Sequence, residues 1–227
     1  VTSLEYRLIR SRRKTLTISI EDGGVTVRAP NRLSRRTVDV ILKEKGPWVE
    51  RCLAISRERK AARDAFSLTY GDSVSVLGRD VPIVPSDGWA ARYDGDRISL
   101  PPGLTPRQII AECVGIYKEV AKAAFTEKAA LYARTLGVAP AALKVSDASK
   151  RWGSCSSKGV VSFSWMLAMA DEDLADYVIV HELAHLKEMN HSARFWAEVD
   201  KVVEDRKRKS ACLTALQARM ESESWEA

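Results

Sequence analysis

The stretch "VIVHELAHLKEMNHSARFW", residues 178–196, decides how this chain is read, because it holds all three histidines, His181, His185 and His191. Two readings compete: imidazoles gathered on a metal ion, or ordinary helix residues that happen to cluster. Asp171 is placed to cap a helix whose first turn carries Glu172 and Asp173, favourable at the positive end of the helix dipole. "YVIV" at 177–180 is apolar on every side, which predicts a helix buried around most of its circumference. On it, His181 and His185 are four residues apart, so they share a face with Cβ atoms about 5–6 Å apart. Two imidazoles so placed reach one zinc ion at about 2.0–2.1 Å each. Glu182 points about a third of a turn away, toward a water and not toward the ion itself. This is the H-E-x-x-H arrangement.

His191 tips the balance. Six residues beyond His185, it cannot face the same point if the helix runs on. Asn190 tolerates the left-handed conformation that ends helices, and Ser192 can cap a new helix beginning near Ala193. His191 then sits at an elbow and swings back over the first two. Three neutral imidazoles leave a fourth tetrahedral position open, as in catalytic zinc sites. The expectation is one Zn2+ per chain on His181, His185 and His191, with Glu182 as general acid/base. Tyr177, one turn before His181, is a weak oxyanion donor and more simply a core residue. Phe195 and Trp196 could wall the pocket, but at helical spacing with Val199 and Val203 they read first as core.

Working outward, "LKVSDASKRWGSCSSKGVVSFSW" reads as strands with a turn at 151–159. Before it, Ile109, Cys113, Ile116, Val120, Ala124 and Leu131 keep helical period from a Thr105 cap and Pro106 to Gly137, where glycine permits the left-handed stop. Pro101-Pro102-Gly103 separates this helix from a β-rich beginning: "EYRLIRS", "TLTISIED" and "GVTVRAP" alternate, with a hairpin signal at Gly23-Gly24, and "YGDSVSVLGRDVPIVPS" and "RYDGDRISLP" read as hairpins. Val38, Ile41, Leu42, Val49 and Leu53 form a helical pattern broken at Gly46-Pro47. The class is α+β, with an expected division into residues 1–103 and 104–227.

Taken together, "VIVHELAHLKEMNHSARFW", "RWGSCSSKGVVSFSW" and "SRRKTLTISIEDGGVTVRAP" resemble the YgjP-like metallopeptidases, relatives of the SprT-like and WLM zinc-protease domains. The resemblance covers most of the chain. It implies a zincin-like catalytic region following the N-terminal β-rich region, the three histidines as zinc ligands, and Glu182 as catalytic acid/base. It also places Arg151, Trp152, Gly153, Ser154 and Cys155 beside the metal, where a strand edge could pair with an extended peptide. Gly153 would either admit the substrate backbone or only supply turn geometry. The spacing matches metzincins as well, but their glycine three residues after the second histidine is Glu188 here. The segment "VVEDRKRKSACL" lacks the proline and aromatic that this family often carries before its lysine-rich helix, a departure centred on Asp205.

Composition bounds the rest. Of 227 residues, 45% are hydrophobic and 29% charged, the balance of a globular chain and not of a disordered one. No run approaches the ~18 apolar residues of a membrane helix, and "VTSLEYRLIRSRRKTL" lacks the apolar stretch of a secretory signal, so cytoplasmic is the default expectation. Cys52, Cys113, Cys155 and Cys212 form no C-x-x-C pair and would stay reduced there. Cys155 has no spare histidine to activate it as a nucleophile. Residues 1–60 hold 15 Lys/Arg against 7 Asp/Glu in a chain of net charge +6. That basic third reads chiefly as solvated surface, as do Arg12-Arg13-Lys14 and "RKRK" at 206–209. Two rivals to a zinc-dependent peptidase stay open: a metal-dependent nucleoside triphosphate pyrophosphatase, which the family resemblance also suggests and the basic third would suit although no Gly-rich phosphate loop is visible, and a nucleic-acid-binding module with a secondary metal site.

Overall fold

In the computed structural model, which describes residues 4–225, the alternating segments near the start form β1 (Arg7–Ser11), β2 (Thr17–Glu21) and β3 (Gly24–Pro30). Glu21 pairs with Gly24, so the antiparallel β2–β3 hairpin turns at Asp22–Gly23, one residue earlier than expected. Both turn residues have positive φ, 50° and 76°, the mirror-image turn whose twist suits paired strands. β1 pairs with β3 in parallel, giving the order β1-β3-β2. Helices α1 (Arg35–Glu44) and α2 (Gly46–Ala65) meet at Lys45. The expected break falls there because Pro47 lies in the first turn of α2, where its missing N–H goes unused. Val38, Leu42, Val49 and Leu53 close over Val25, Val27 and Ala29 to form the core of this unit.

Several cations of this first unit are engaged within it. Arg10 donates to the Pro30 and Asn31 carbonyls, Arg63 pairs with Asp22, Arg59 with Glu221, and Arg35 stands over the Tyr6 ring.

The chain divides into two compact units between Phe66 and Ser67, with Glu221–Ser224 belonging to the first. The expected boundary at Pro101-Pro102-Gly103 is instead a turn inside the second unit, and the outermost residues of the expected ranges lie outside the described ones. The reason is packing. β4 (Ser73–Val76), β5 (Arg79–Pro85), β6 (Arg92–Tyr93) and β7 (Ile98–Leu100) form a sheet of order β4-β5-β7-β6 that is bonded to elements later in the chain. The Tyr117 hydroxyl donates to the Ser75 carbonyl at 2.7 Å, and the Leu77 N–H to the Ala168 carbonyl at 2.7 Å.

Helix α3 (Pro106–Leu136) begins in a reciprocal cap between Thr105 and Gln108 and stops at Gly137, φ 65°, as its sequence predicts. Its buried stripe is Ile109, Cys113, Tyr117, Ala121, Phe125, Ala129 and Ala133. Leu131, expected on that stripe, is 50% exposed. Steps of four from Cys113 follow the buried face, whereas the seven-residue step from Ala124 leaves it.

The last sheet, β8 (Ala142–Ser146), β9 (Gly153–Cys155) and β10 (Val160–Ser164), has the order β8-β10-β9. β9 therefore has one strand neighbour among the described residues and lies at an edge. A 3-10 turn (Trp165–Met169) leads into α4 (Glu172–Ala184), α5 (Ala193–Val199) and α6 (Arg206–Met220). Helix α4 contacts α3, β9, β10, α5 and α6, and nine of its thirteen residues are buried, as its all-round apolar surface requires. The architecture is α+β. Among the described residues no helix is long and apolar enough to cross a membrane.

Candidate active site

Helix α4 presents His181 and Glu182 one turn before its end and His185 at its C-cap. Asp171 holds the N-cap position, but its carboxylate makes no cap hydrogen bond; its carbonyl accepts from Leu174 and Ala175 instead. The helix stops five residues sooner than expected, and Asn190 is not left-handed. The N–H groups of Leu186 and Lys187 close short turns onto the Leu183 and Ala184 carbonyls, and Asn190 Oδ1 accepts from the Ser192 N–H at 3.1 Å. That side-chain turn redirects the backbone without a positive φ. Ser192 then caps α5 as expected, accepting from the Phe195 N–H.

The elbow brings the three imidazoles together. Their ring centroids form a nearly equilateral triangle with sides of 5.0, 5.0 and 4.9 Å, and one nitrogen from each lies within 4.8 Å of the others. His181 Nε2 and His191 Nε2 are 3.1 Å apart, close to the roughly 3.3 Å that separates two nitrogens on one tetrahedral zinc ion. His185 Nδ1 is 3.1 Å from the Glu188 carbonyl. With the proton donated there, Nε2 is left as the lone-pair donor. Glu188, the residue that departs from the metzincin pattern, thus serves through its main chain. Burial first, then the neighbouring His185 and His191, pulls the His181 imidazole down to about 4. Burial likewise lowers His185. Both are neutral at pH 7, and the donor set could hold a metal ion.

Phe195, 0% exposed, packs against all three rings at 4.5–4.9 Å. The expectation of a core residue holds, but the core it belongs to is the floor of the triangle. Trp196 stacks on His191 at 5.5 Å with planes 23° apart, and the Arg206 guanidinium lies 4.3 Å over the indole. Arg206 also donates through Nε to Asp200 Oδ1 at 2.8 Å, and Lys209 pairs with Asp173. These two members of "RKRK" are therefore not merely solvated. Asp205, just before α6, has a φ of 51° and its carbonyl accepts from Lys209 N–H.

Glu182 is 8% exposed. Burial pushes its carboxyl up to about 7, against the opposing charge of Arg151. It rests on β9: a Cβ at residue 153 would lie 2.5 Å from Glu182 Cγ and 2.8 Å from Oε1. Neither reading of Gly153 made from the sequence anticipated this, because the carboxylate comes from a helix 29 positions on. Burial, then the Glu182 charge, raises the Cys155 thiol above its usual range, which keeps it protonated and argues against a nucleophile.

A cleft of about 390 Å³ opens over this centre. Arg151, Trp152 and Gly153 line it together with Lys150, Tyr177, His181 and Glu182, whereas Ser154 and Cys155 do not. Tyr177 is 7% exposed and engages Ser210, so it is a wall residue as well as a core one. The far wall is one face of α6: Ser210, Leu213, Thr214 and Gln217. Their i, i+3, i+4, i+7 spacing was legible as a helical face, but nothing in it said which cleft it lined.

A family model described as "YgjP-like, metallopeptidase domain" matches residues 14–215. No curated protein matches the chain. Among solved structures, the chain is similar to the metallopeptidase zymogen of Pyrococcus abyssi abylysin, with 26% identity, a TM-score of 0.38, and coverage of 41% of this chain and 95% of that one. It is also similar to the metallopeptidase zymogen of Methanocaldococcus jannaschii jannalysin, with 21% identity, a TM-score of 0.34, and coverage of 41% and 94%.

Proposed function

The chain belongs to the YgjP-like metallopeptidase family, a family of metallohydrolases, and from that premise we propose that it is a zinc-dependent peptidase, with His181, His185 and His191 holding one zinc ion and Glu182 as general acid/base. The observation that carries this reading is a buried carboxylate beside three converging imidazoles. When bound, zinc would supply a Lewis acid that polarises the scissile carbonyl and acidifies a water. Glu182, with a carboxyl near 7, takes a proton from the attacking water at its carboxylate and returns it to the leaving amine nitrogen. Burial by β9 and the Phe195 floor holds the carboxylate and the imidazoles in fixed directions, so little reorganisation is needed.

The free edge of β9 supports an extended peptide as substrate, bound by main-chain hydrogen bonds. Arg151, Trp152 and Gly153 are the proposed contacts. Ser154 alternates away from the Glu182 side, and Cys155 contributes bulk and not chemistry. The family match supports a peptide or protein substrate and lends none to the nucleotide or nucleic-acid readings.

Metal analysis and peptide hydrolysis test this together. The expected result is one zinc per chain, with sharply weaker binding on replacing any of the three histidines by alanine. Glu182→Gln is expected to keep zinc and fold and to lose hydrolysis. Wild-type turnover by that variant would overturn the acid/base assignment, and full zinc loading of His191→Ala at limiting metal would remove His191 from the ligand set.

A further inference from the structure

The cleft carries its charge on one side. Strand alternation puts Gly153 and Cys155 of β9 on a common face, and Arg151 lies just before the strand. The close approach at Gly153 shows that this face meets Glu182, whose carboxyl also feels the Arg151 charge. Lys150 lines the same cleft. Both cations are exposed, and neither has an ion-pair partner among the described residues. The facing wall on α6 is uncharged, and Glu182 is the sole carboxylate lining the cleft.

We propose that Arg151 and Lys150 form a carboxylate-recognition subsite, which makes this peptidase select peptides bearing an acidic group close to the scissile bond. The proposal rests on the peptidase reading of the same cleft. Arg151 stands two residues before Gly153 and lines the same cleft as Glu182, so the carboxylate it meets lies within a few substrate residues of the bond held at Glu182. A guanidinium grips a carboxylate through two parallel N–H donors, and the neighbouring ammonium adds charge without fixed direction. The same chemistry could come from an Asp or Glu side chain or from a free peptide C-terminus.

Two measurements test this. The first is cleavage of a quenched-fluorescent peptide library randomised on both sides of the cut, with cut positions read by mass spectrometry. The second is binding of labelled peptides to zinc-loaded Glu182→Gln, using matched sets with Glu or Gln at each position and with free or amidated C-termini. The expected outcome is roughly tenfold preference for the carboxylate-bearing peptide in both. That preference is lost in Arg151→Gln/Lys150→Gln and reversed toward Lys or Arg substrates in Arg151→Glu. Sensitivity to the side chain or to amidation identifies which carboxylate is read. Equal binding of Glu and Gln peptides would overturn the proposal, as would an Arg151→Gln variant whose kcat falls equally for every substrate, the mark of transition-state stabilisation. A binding preference without cleavage of any peptide would leave the subsite standing and overturn the peptidase reading instead.

Discussion

The hydrogen that serves as the Gly153 side chain is what lets Glu182 sit where it does. With a Cβ only 2.5 Å from Glu182 Cγ, any larger residue must push the carboxylate aside. Gly153→Ala is therefore expected to keep its zinc and to lose kcat by about tenfold or more, since a misplacement near 1 Å is enough. Its Tm should fall by several degrees, from overpacking of about 1–3 kcal/mol. Unchanged kcat with a raised KM would instead return Gly153 to substrate approach. A second residue-scale device is the Arg206–Trp196–His191 stack. His191 is the exposed member of the histidine triangle, and the indole is its outer support. Arg206→Ala should weaken zinc binding by roughly tenfold, with partial recovery in Arg206→Lys, read by competition with a chromophoric chelator. Unaltered affinity would reduce the stack to surface packing. The three histidines and Glu182 were legible as a set because helix spacing alone brings two together. Gly153 and Arg206 were not, because their partners lie 29 and 10 positions away and no local rule links them.

At the scale of elements, the turn between α4 and α5 determines whether His191 reaches the others. Glu198 on α5 ties it down, pairing with Lys187 in the turn at 2.8 Å and with Lys201 at 2.5 Å. Those two ammonium groups, Lys187 first, hold the Glu198 carboxyl below its usual 4.5. A depressed carboxyl contributes stability that is present above its ordinary value and is lost as pH falls through the lowered one. Glu198→Gln should thus be less stable than wild type at pH 7 by at most about 1 kcal/mol. The gap should close in melts run below pH 4.5, the ordinary glutamate value. A gap that persists in acid would mean that the effect is packing and not charge. The existence of an elbow was legible from Ser192 and the six-residue spacing; its mechanism was not. Asn190 offers both a left-handed backbone and a side-chain acceptor, and the sequence does not say which is used. Helix α4 has already ended at His185, and the redirection into α5 is made by Asn190 Oδ1 on the Ser192 N–H.

For the whole molecule, every proposed ligand, acid/base and cleft residue lies between Lys150 and Gln217, within the second unit. The strand and helix types of that unit were legible from periodicity. Its beginning was not: Pro101-Pro102-Gly103 has the composition of a linker, but the hairpins before it are bonded to α3 and the 3-10 turn through Tyr117 and Leu77. Turn chemistry identifies where a chain bends and says nothing about which side of the bend shares a core. The unit from Ser67 onward has roughly 150 residues, enough to bury about two-thirds of its unfolded surface. It has its own apolar interior around Phe125, Phe163, Ile179 and Leu183. A chain beginning at Ser67 is therefore expected to fold, to bind one zinc, and to show a chelator-sensitive Tm, since binding to the folded state alone adds stability. A chain beginning at Leu104, the boundary suggested by composition, would lose the β4–β7 sheet and should be insoluble or unfolded. Comparing the two by circular dichroism and zinc stoichiometry decides between them; a well-folded, zinc-loaded chain from Leu104 would place the true boundary at the prolines.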